Sequence, residues 1–309
     1  MSELEANRFL ALPPLLSVRG LRKEFPVRAG GLGRKVIAVT KAVDGVSFAV
    51  APGEILGVVG ESGSGKTTLA RCILRAVDPT AGEVIFRLPD GSTVDLARLG
   101  ARELKPLRKH AQMVFQDPVS SLNPRWTVRD IVGEPLVIHR LARGAELDER
   151  VSEMLRRVGL KPEHRLRYPQ AFSGGQRQRI GIARALIMRP SLIVCDDATS
   201  SLDVSGQAEV LDLLKELQRE FGLTYVFVAH NLDVVRNFCD RVAVMRRGRI
   251  VELAPTPQIF SAPAHAYTKI LLSAVPSADP DVRMNFNVGE ELAKLDAAEL
   301  MRMEPALRG

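Results

Sequence analysis

Ile55-Leu56-Gly57-Val58-Val59-Gly60-Glu61-Ser62-Gly63-Ser64-Gly65-Lys66-Thr67-Thr68 is an apolar run, a glycine-rich loop and the opening of a helix, in that order. The run Ile55–Val59 reads as a short buried strand entered through a Pro52-Gly53-Glu54 turn. Thr67–Ala76 continues as a helix ending near Asp78-Pro79. The loop Gly60–Thr67 fits the Gly-x-x-x-x-Gly-Lys-Thr pattern completely. Glycines let backbone N–H groups approach an anion closely, and the following helix turns its positive end toward it. In this reading the N–H groups of Gly63 to Lys66 cradle phosphates, with Gly60, Glu61, Ser62 and Thr68 completing the nucleotide-binding set. Lys66 reaches the β- and γ-oxygens, and the Thr67 hydroxyl ligates Mg2+. A glycine-rich turn with a chance lysine is the competing reading; the flanking strand and helix argue against it.

Outward from the loop the chain alternates strand and helix. Leu15–Phe25 and Ala42–Val50 read as strands, separated by a stretch containing Gly30-Gly31-Leu32-Gly33. Gly82–Leu88 and Val94–Leu96 form a hairpin around Pro89-Asp90-Gly91-Ser92. Arg125–Leu160 turns helical, with Val151, Met154, Leu155 and Val158 at core spacing. Ile180–Met188 is another apolar helix and Leu192–Cys195 a fully buried strand. Val210–Phe221, Tyr225–Val228 and Leu232–Phe238 follow as helix, strand and helix, before a terminal hairpin of Val242–Met245 and Arg249–Leu253. This order predicts an α/β fold with a mostly parallel sheet, interrupted by a helical insertion from about 117 to 190. Beyond Pro276 the composition shifts. Glu290–Met303 carries Leu292, Leu295 and Leu300 at helical spacing, which suits docking on the body, docking on a partner, or partial disorder.

Ser173-Gly174-Gly175-Gln176, followed by Arg177-Gln178-Arg179, reads as a second glycine turn at a helix N-terminus. The first loop needs no second phosphate cradle, so this one suits the γ-phosphate of an ATP held by another subunit. Leu192-Ile193-Val194-Cys195-Asp196-Asp197 is a buried strand ending in two carboxylates. There Asp196 can hold Mg2+ through water and Asp197 can face the attacking water, in the crevice beyond the strand ends. A turn with a helix N-cap is the alternative. Gln116 leaves a strand and enters the helical insertion, where a glutamine can bridge Mg2+ or water. His230 follows the apolar run Tyr225–Ala229 and can contact the γ-phosphate. Asp203 in Ser201-Leu202-Asp203 reads equally as an interface residue or a helix cap. Phe25 reads equally as a stacking partner for adenine or a core aromatic. His110, His139, His164 and His265 have no comparable setting.

Composition bounds the rest. The chain has 309 residues, 46% hydrophobic and 26% charged, enough for one large or two smaller buried cores. No apolar run approaches the ~20 residues of a membrane span. Met1–Asn7 is acidic, which argues against a signal peptide. Cys72, Cys195 and Cys239 lie far apart and form no ligand pattern, as expected of reduced core thiols in a cytosolic protein. The net charge of +7 and pI near 9.6 admit an anionic partner. The basic residues are spread along the chain, however, and no aromatic-and-basic platform for nucleic acid stands out.

Together these motifs resemble the ATP-binding cassette (ABC) ATPases, in order from about Leu15 to Val275. The likeness covers the P-loop at Gly60–Thr67, Q-loop at Gln116, signature at Ser173–Gln176 and Walker B strand at Leu192–Asp196. It continues through the D-loop at Ser201–Asp203 and the switch histidine at His230. Gln116-Asp117-Pro118-Val119-Ser120-Ser121-Leu122-Asn123-Pro124, Tyr168-Pro169-Gln170-Ala171-Phe172 and His265-Ala266-Tyr267-Thr268 are similar to the oligopeptide/dipeptide permease branch. So is the long loop Val27–Thr40. The resemblance implies a RecA-like P-loop NTPase core with an antiparallel β subdomain and a helical subdomain. Residues 1–275 would form the cassette, about 117–188 its helical part, and 276–309 a tail. It further implies ATP and Mg2+ as cofactors, a second cassette clamped head to tail, and two transmembrane permease subunits. An extracytoplasmic solute-binding protein would complete an importer at the cytoplasmic face of the inner membrane, with no nucleic-acid partner.

Two departures from the family pattern stand out. Asp197 occupies a position where glutamate is usual, and Ala198 one where proline is usual. The shorter side chain holds its carboxylate about one methylene further back, and a displacement of ~1 Å at a reacting centre costs ~100-fold. The expectation is an own site that binds ATP and hydrolyses it slowly, beside a partner's site completed by the intact signature. It favours a partner cassette that is a different chain. The other reading is that Asp197 serves after a small backbone shift. The second departure is the lack of any cysteine after Cys239, so no iron–sulfur cluster is expected.

Overall fold

The computed structural model describes residues 13–28, 36–117, 120–274 and 291–295. Strands Ile55–Val59 (β3), Ala111–Val114 (β6), Leu192–Asp196 (β7), Thr224–Val228 (β8), Arg241–Arg246 (β9) and Arg249–Pro255 (β10) form one sheet. Its order is β10-β9-β3-β8-β7-β6. The pairs β9–β3, β3–β8, β8–β7 and β7–β6 are parallel, and only β10 runs antiparallel, at the edge. Every residue of β3, β7 and β8 is buried. A parallel sheet covered on both faces demands such continuous apolar runs, which is why these strands are recognisable in the sequence.

The two-residue strand period divides the core between the faces. Ile55, Val59, Ile193, Cys195, Tyr225, Phe227, Val242 and Val244 face one cluster. Leu56, Val58, Leu192, Val194, Val226, Val228, Ala243 and Met245 face the other. The second face packs against helix Lys66–Ile73 (α1) and a four-stranded antiparallel sheet. That sheet has the order β2-β1-β4-β5, from Leu16–Arg28 (β1), Val36–Val50 (β2), Ala81–Arg87 (β4) and Thr93–Asp95 (β5). A short helix, Ala101–Leu107 (α2), leads to β6. The first face packs against Val128–Ile138 (α3), Gly144–Arg157 (α4), Gly174–Leu186 (α5), Val204–Phe221 (α6) and Leu232–Phe238 (α7). Thr256–Ser261 (α8) and Ala266–Ser273 (α9) follow the sheet.

Several boundaries differ from the sequence reading. The expected loop Val27–Thr40 is in large part strand: β1 and β2 continue into it, pairing Val27 with Ala38 and Arg28 with Val36. Val36, Ile37 and Val39 are exposed there, so no buried alternation marks them. The glycines at 30–33 lie outside the described residues. The helix read as Thr67–Ala76 ends at Ile73, because Arg75 turns to φ 53°. The helix read from Ile180 begins at Gly174, where Ser173 caps it, and the one read from Val210 begins at Val204, capped by Asp203. Residues 291–295 are helical, and Leu292 and Leu295 pack on the first core cluster. Leu300, Ser277–Pro280 and Met1–Asn7 lie outside the described residues. Cys72, Cys195 and Cys239 are buried free thiols.

The loop after β3 depends on glycine for space. A Cβ on Gly60, at φ 149°, would sit 2.0 Å from the Met245 carbonyl oxygen. One on Gly65, at φ 103°, would sit 2.0 Å from that of Ala42. Gly91, at φ 85°, has nothing within 4 Å of its built Cβ. Gly91→Ala should therefore cost only backbone strain, about 1–2 kcal/mol. Gly60→Ala must also push β9 away from β3 and should cost at least about 3 kcal/mol. Thermal unfolding of the two variants checks the order; equal losses would contradict the close approach.

Candidate functional site

Four parallel strands end at one crevice, and each delivers a functional group there. The loop Gly60–Thr67 leaves β3, Gln116 follows β6, Asp196 ends β7, and His230 follows β8. Lys66 and Thr67 of the loop, Gln116, Asp196 and His230 line a cavity of about 1020 Å3 with Ser62, Gly63, Gly65, Thr68 and Asp197, whereas Gly60, Glu61 and Ser64 do not line it. Its position outside the carboxyl ends of the strands is where open α/β sheets bind ligands.

The loop wraps its own lysine. Lys66 Nζ donates to the carbonyl oxygens of Gly60 at 2.7 Å and Glu61 at 2.8 Å. Burial pushes the ammonium below the ordinary lysine range, while the carboxylates of Asp197 and Asp196 pull it back up. The helix Lys66–Ile73 starts at Gly65 without a side-chain cap or an acidic residue in its first turn, so its positive end is left uncompensated toward the cavity. Ser64 is buried, and its carbonyl oxygen accepts from the Gly248 N–H at 2.9 Å.

The Thr67 hydroxyl donates to Asp196 Oδ1 at 2.9 Å, tying the start of α1 to the end of β7. Burial raises Asp196 above the ordinary carboxylate range, and the Thr67 hydrogen bond works against that rise. A hydroxyl and a carboxylate side by side, with the Gln116 side chain in the same cavity, form an all-oxygen donor set. It suits Mg2+, which takes few protein ligands and completes its shell with phosphate oxygens and water. Among the described residues no group of three or more His, Cys, Asp or Glu is assembled to hold a metal without such help.

Asp197 stands just past the end of β7 with φ 54°, a conformation aspartate tolerates better than most residues. Its N–H donates to the Val228 carbonyl oxygen at 2.9 Å, which fixes the turn against β8. His230 Nδ1 lies 2.9 Å from both carboxylate oxygens, and Gln116 Nε2 donates to Oδ2 at 3.2 Å. Gln116, Asp197 and His230, more than a hundred residues apart in sequence at the extremes, thus form one hydrogen-bonded cluster.

Ser173-Gly174-Gly175-Gln176 is not part of this cavity. Ser173 accepts from the Gln176 N–H at 3.4 Å, while its own N–H donates to Gln176 Oε1 at 3.2 Å, a capping box that opens α5. These residues line a separate cavity of about 650 Å3 with Asp203; it shares only Ser201 with the first. Asp203 is a helix cap, accepting from the Gly206 N–H at 2.7 Å. Phe25 is 41% exposed, beneath Lys23 Nζ at 4.9 Å from its ring centroid, and does not line the first cavity. Its cross-strand partner Thr40 does, with Lys41, Ala42 and Arg247. Those four were missed in the sequence because nothing local distinguishes a wall supplied by a distant antiparallel strand or turn. His265 caps α9 through Nδ1, which accepts from the Tyr267 N–H at 3.1 Å.

Comparison with known proteins agrees with this geometry. The profile of the ABC transporter family matches residues 43–200, and that of the oligopeptide/dipeptide transporter C-terminal region matches 251–298. The chain is 51% identical over 262 residues to the oligopeptide transport ATP-binding protein AppF of Bacillus subtilis (strain 168), covering 85% of this chain and 78% of AppF. It is 48% identical over 279 residues to the glutathione import ATP-binding protein GsiA of Salmonella choleraesuis, covering 90% of this chain and 44% of GsiA. Among solved structures it is similar to the dimeric ATP-binding cassette MJ0796 in a post-hydrolysis state bound to ADP and Pi. There the TM-score is 0.66 at 30% identity, over 78% of this chain and 98% of that one. With a phosphate loop, a carboxylate strand end and a signature helix in one α/β body, this chain belongs to the ABC transporter family and is an ATP-hydrolysing cassette of its oligopeptide/dipeptide branch.

Proposed function

We propose that the chain is the energising subunit of an importer for peptides or a related small solute such as an oligosaccharide, an opine or nickel. It works as one half of a head-to-tail cassette pair at the cytoplasmic face of the inner membrane. The observation that carries the pairing is the state of the signature glycines. A Cβ on Gly175 would meet nothing within 4 Å, and one on Gly174 would meet only Leu202 Cδ2, at 3.6 Å. Neither glycine has positive φ. The chain's own fold therefore has no need of glycine at either position, whereas an anion brought up by another molecule does. Among the described residues no helix is long and apolar enough to cross a membrane, so separate permease subunits are the membrane partners of this reading. A solute-binding protein outside the membrane completes the importer, and the names of the similar import proteins support the solute class.

In the site, the N–H groups of the loop and Lys66 hold the β- and γ-phosphates, and Phe25 lies on the strand next to the wall that flanks the base. Thr67, Asp196 and Gln116 hold Mg2+, which would neutralise charge developing on the phosphate oxygens. Asp197 accepts the proton of the attacking water, held in place by His230 and Gln116. Its single methylene leaves that carboxylate short of the usual reach, and His230 holds it toward β8. Hydrolysis at this chain's own P-loop is therefore slow, and the intact signature supports faster hydrolysis on a different partner chain.

In the membrane-assembled complex, Asp197→Glu should raise ATP turnover by up to about 100-fold at this site, and Asp197→Asn should change total turnover little. Abolition of turnover by Asp197→Asn would show that this chain's own site is not slow and already carries the hydrolysis of the complex. Asp196→Asn should raise the Mg2+ concentration required for ATP binding at this chain's own P-loop by at least about tenfold, since one carboxylate ligand is lost. A Mg2+ titration that superimposes on that of the unaltered protein would remove Asp196 from the metal site.

A further inference from the structure

The Tyr-bearing helix α9 reaches back to the phosphate loop. Tyr267 is fully buried, and its hydroxyl oxygen accepts from the Glu61 N–H at 3.1 Å. That N–H belongs to the same peptide unit as the Gly60 carbonyl, whose oxygen accepts from Lys66 Nζ at 2.7 Å. A trans peptide is planar, with N–H and C=O pointing to opposite sides. One rigid plate is therefore gripped on one side by Tyr267 and on the other by the phosphate-reaching lysine. Hydrogen bonds through one peptide polarise each other, so the tyrosine contact also strengthens the carbonyl as an acceptor.

Tyr267 is itself firmly placed. The Arg246 guanidinium lies over its ring at 5.0 Å. Glu252 of β10 accepts from the N–H groups of Ala264 and His265 at 2.8 and 3.0 Å, anchoring the start of α9. His265 Nδ1 then accepts from the Tyr267 N–H. Leu292 of the tail joins Glu61 and Tyr267 around a small cavity of about 110 Å3.

We propose that Tyr267 is a positioning residue for Lys66, acting through the Gly60–Glu61 peptide, so that the C-terminal element sets the affinity of the phosphate loop for ATP. His265-Ala266-Tyr267-Thr268 then has a part in nucleotide binding as well as in packing. The inference rests on Gly60–Thr67 being the ATP phosphate site.

Tyr267→Phe removes one oxygen and keeps the ring, leaving the half-buried Glu61 N–H without its partner. ATP titration of the full chain should show affinity reduced roughly three- to tenfold. The thermal midpoint should move little, and in the assembled complex KM for ATP should rise with kcat nearly unchanged. In a Lys66→Ala background the same change should have no further effect, because the group being positioned is gone. Unchanged affinity in Tyr267→Phe would overturn the proposal. So would an equal loss with and without Lys66, or a fall in thermal midpoint alone. If Lys66→Ala leaves ATP affinity intact, the phosphate-site reading itself fails and takes the proposal with it.

Discussion

The close approach of backbone to backbone around the loop Gly60–Thr67 is the constraint on which the rest of the site depends. Carbonyl oxygens of Met245 and Ala42 stand where Cβ atoms of Gly60 and Gly65 would be. The loop is thereby wedged between β9 and the antiparallel sheet, and the Gly248 N–H bonded to Ser64 closes the wedge. Loop N–H groups can point into the cavity because neighbouring backbones hold the loop from behind. A ligand arriving there meets donors already oriented, so little ordering entropy is lost on binding.

Electrostatics at the strand ends follows from the same crowding. Lys66 and Asp196 share one space with Asp197; burial disfavours the charge on Lys66 and on Asp196, and the opposite charges beside each favour it. Thr67 links α1 to Asp196, and His230 and Gln116 link β8 and β6 to Asp197. Motion of either the Gln116 segment or the His230 turn must change the hydrogen bonds of Asp197. The chemistry of the site is thus coupled to the two segments that lead into the helical insertion and out of the sheet.

Much of this was legible in the sequence, for identifiable reasons. Parallel strands covered on both faces leave apolar runs such as Leu192–Cys195 and Tyr225–Val228, and the glycine-lysine loop has a spacing that few other structures need. The β1–β2 extension was hidden, because its exposed Val36, Ile37 and Val39 show no one-sided burial. Helices α8 and α9 were hidden because they are short and one is opened by Pro257. The contact of Tyr267 with Glu61 spans 206 residues, and no local pattern announces it. The signature presents a different limit: its capping box is visible in one chain, but in the proposed pairing the purpose of its glycines lies in a second molecule.

That second molecule supplies the most direct test of the account, through Gly174→Asp in the assembled complex with ATP affinity and turnover measured separately. A Cβ on Gly174 meets only Leu202 Cδ2, at an ordinary contact distance of 3.6 Å, so the side chain fits the fold, while its charge repels a phosphate brought up by the partner. The account predicts that ATP affinity at this chain's own P-loop persists while turnover of the complex is lost. Loss of this chain's own ATP affinity, with turnover elsewhere intact, would mean that the signature serves its own nucleotide and that the head-to-tail clamp is wrong.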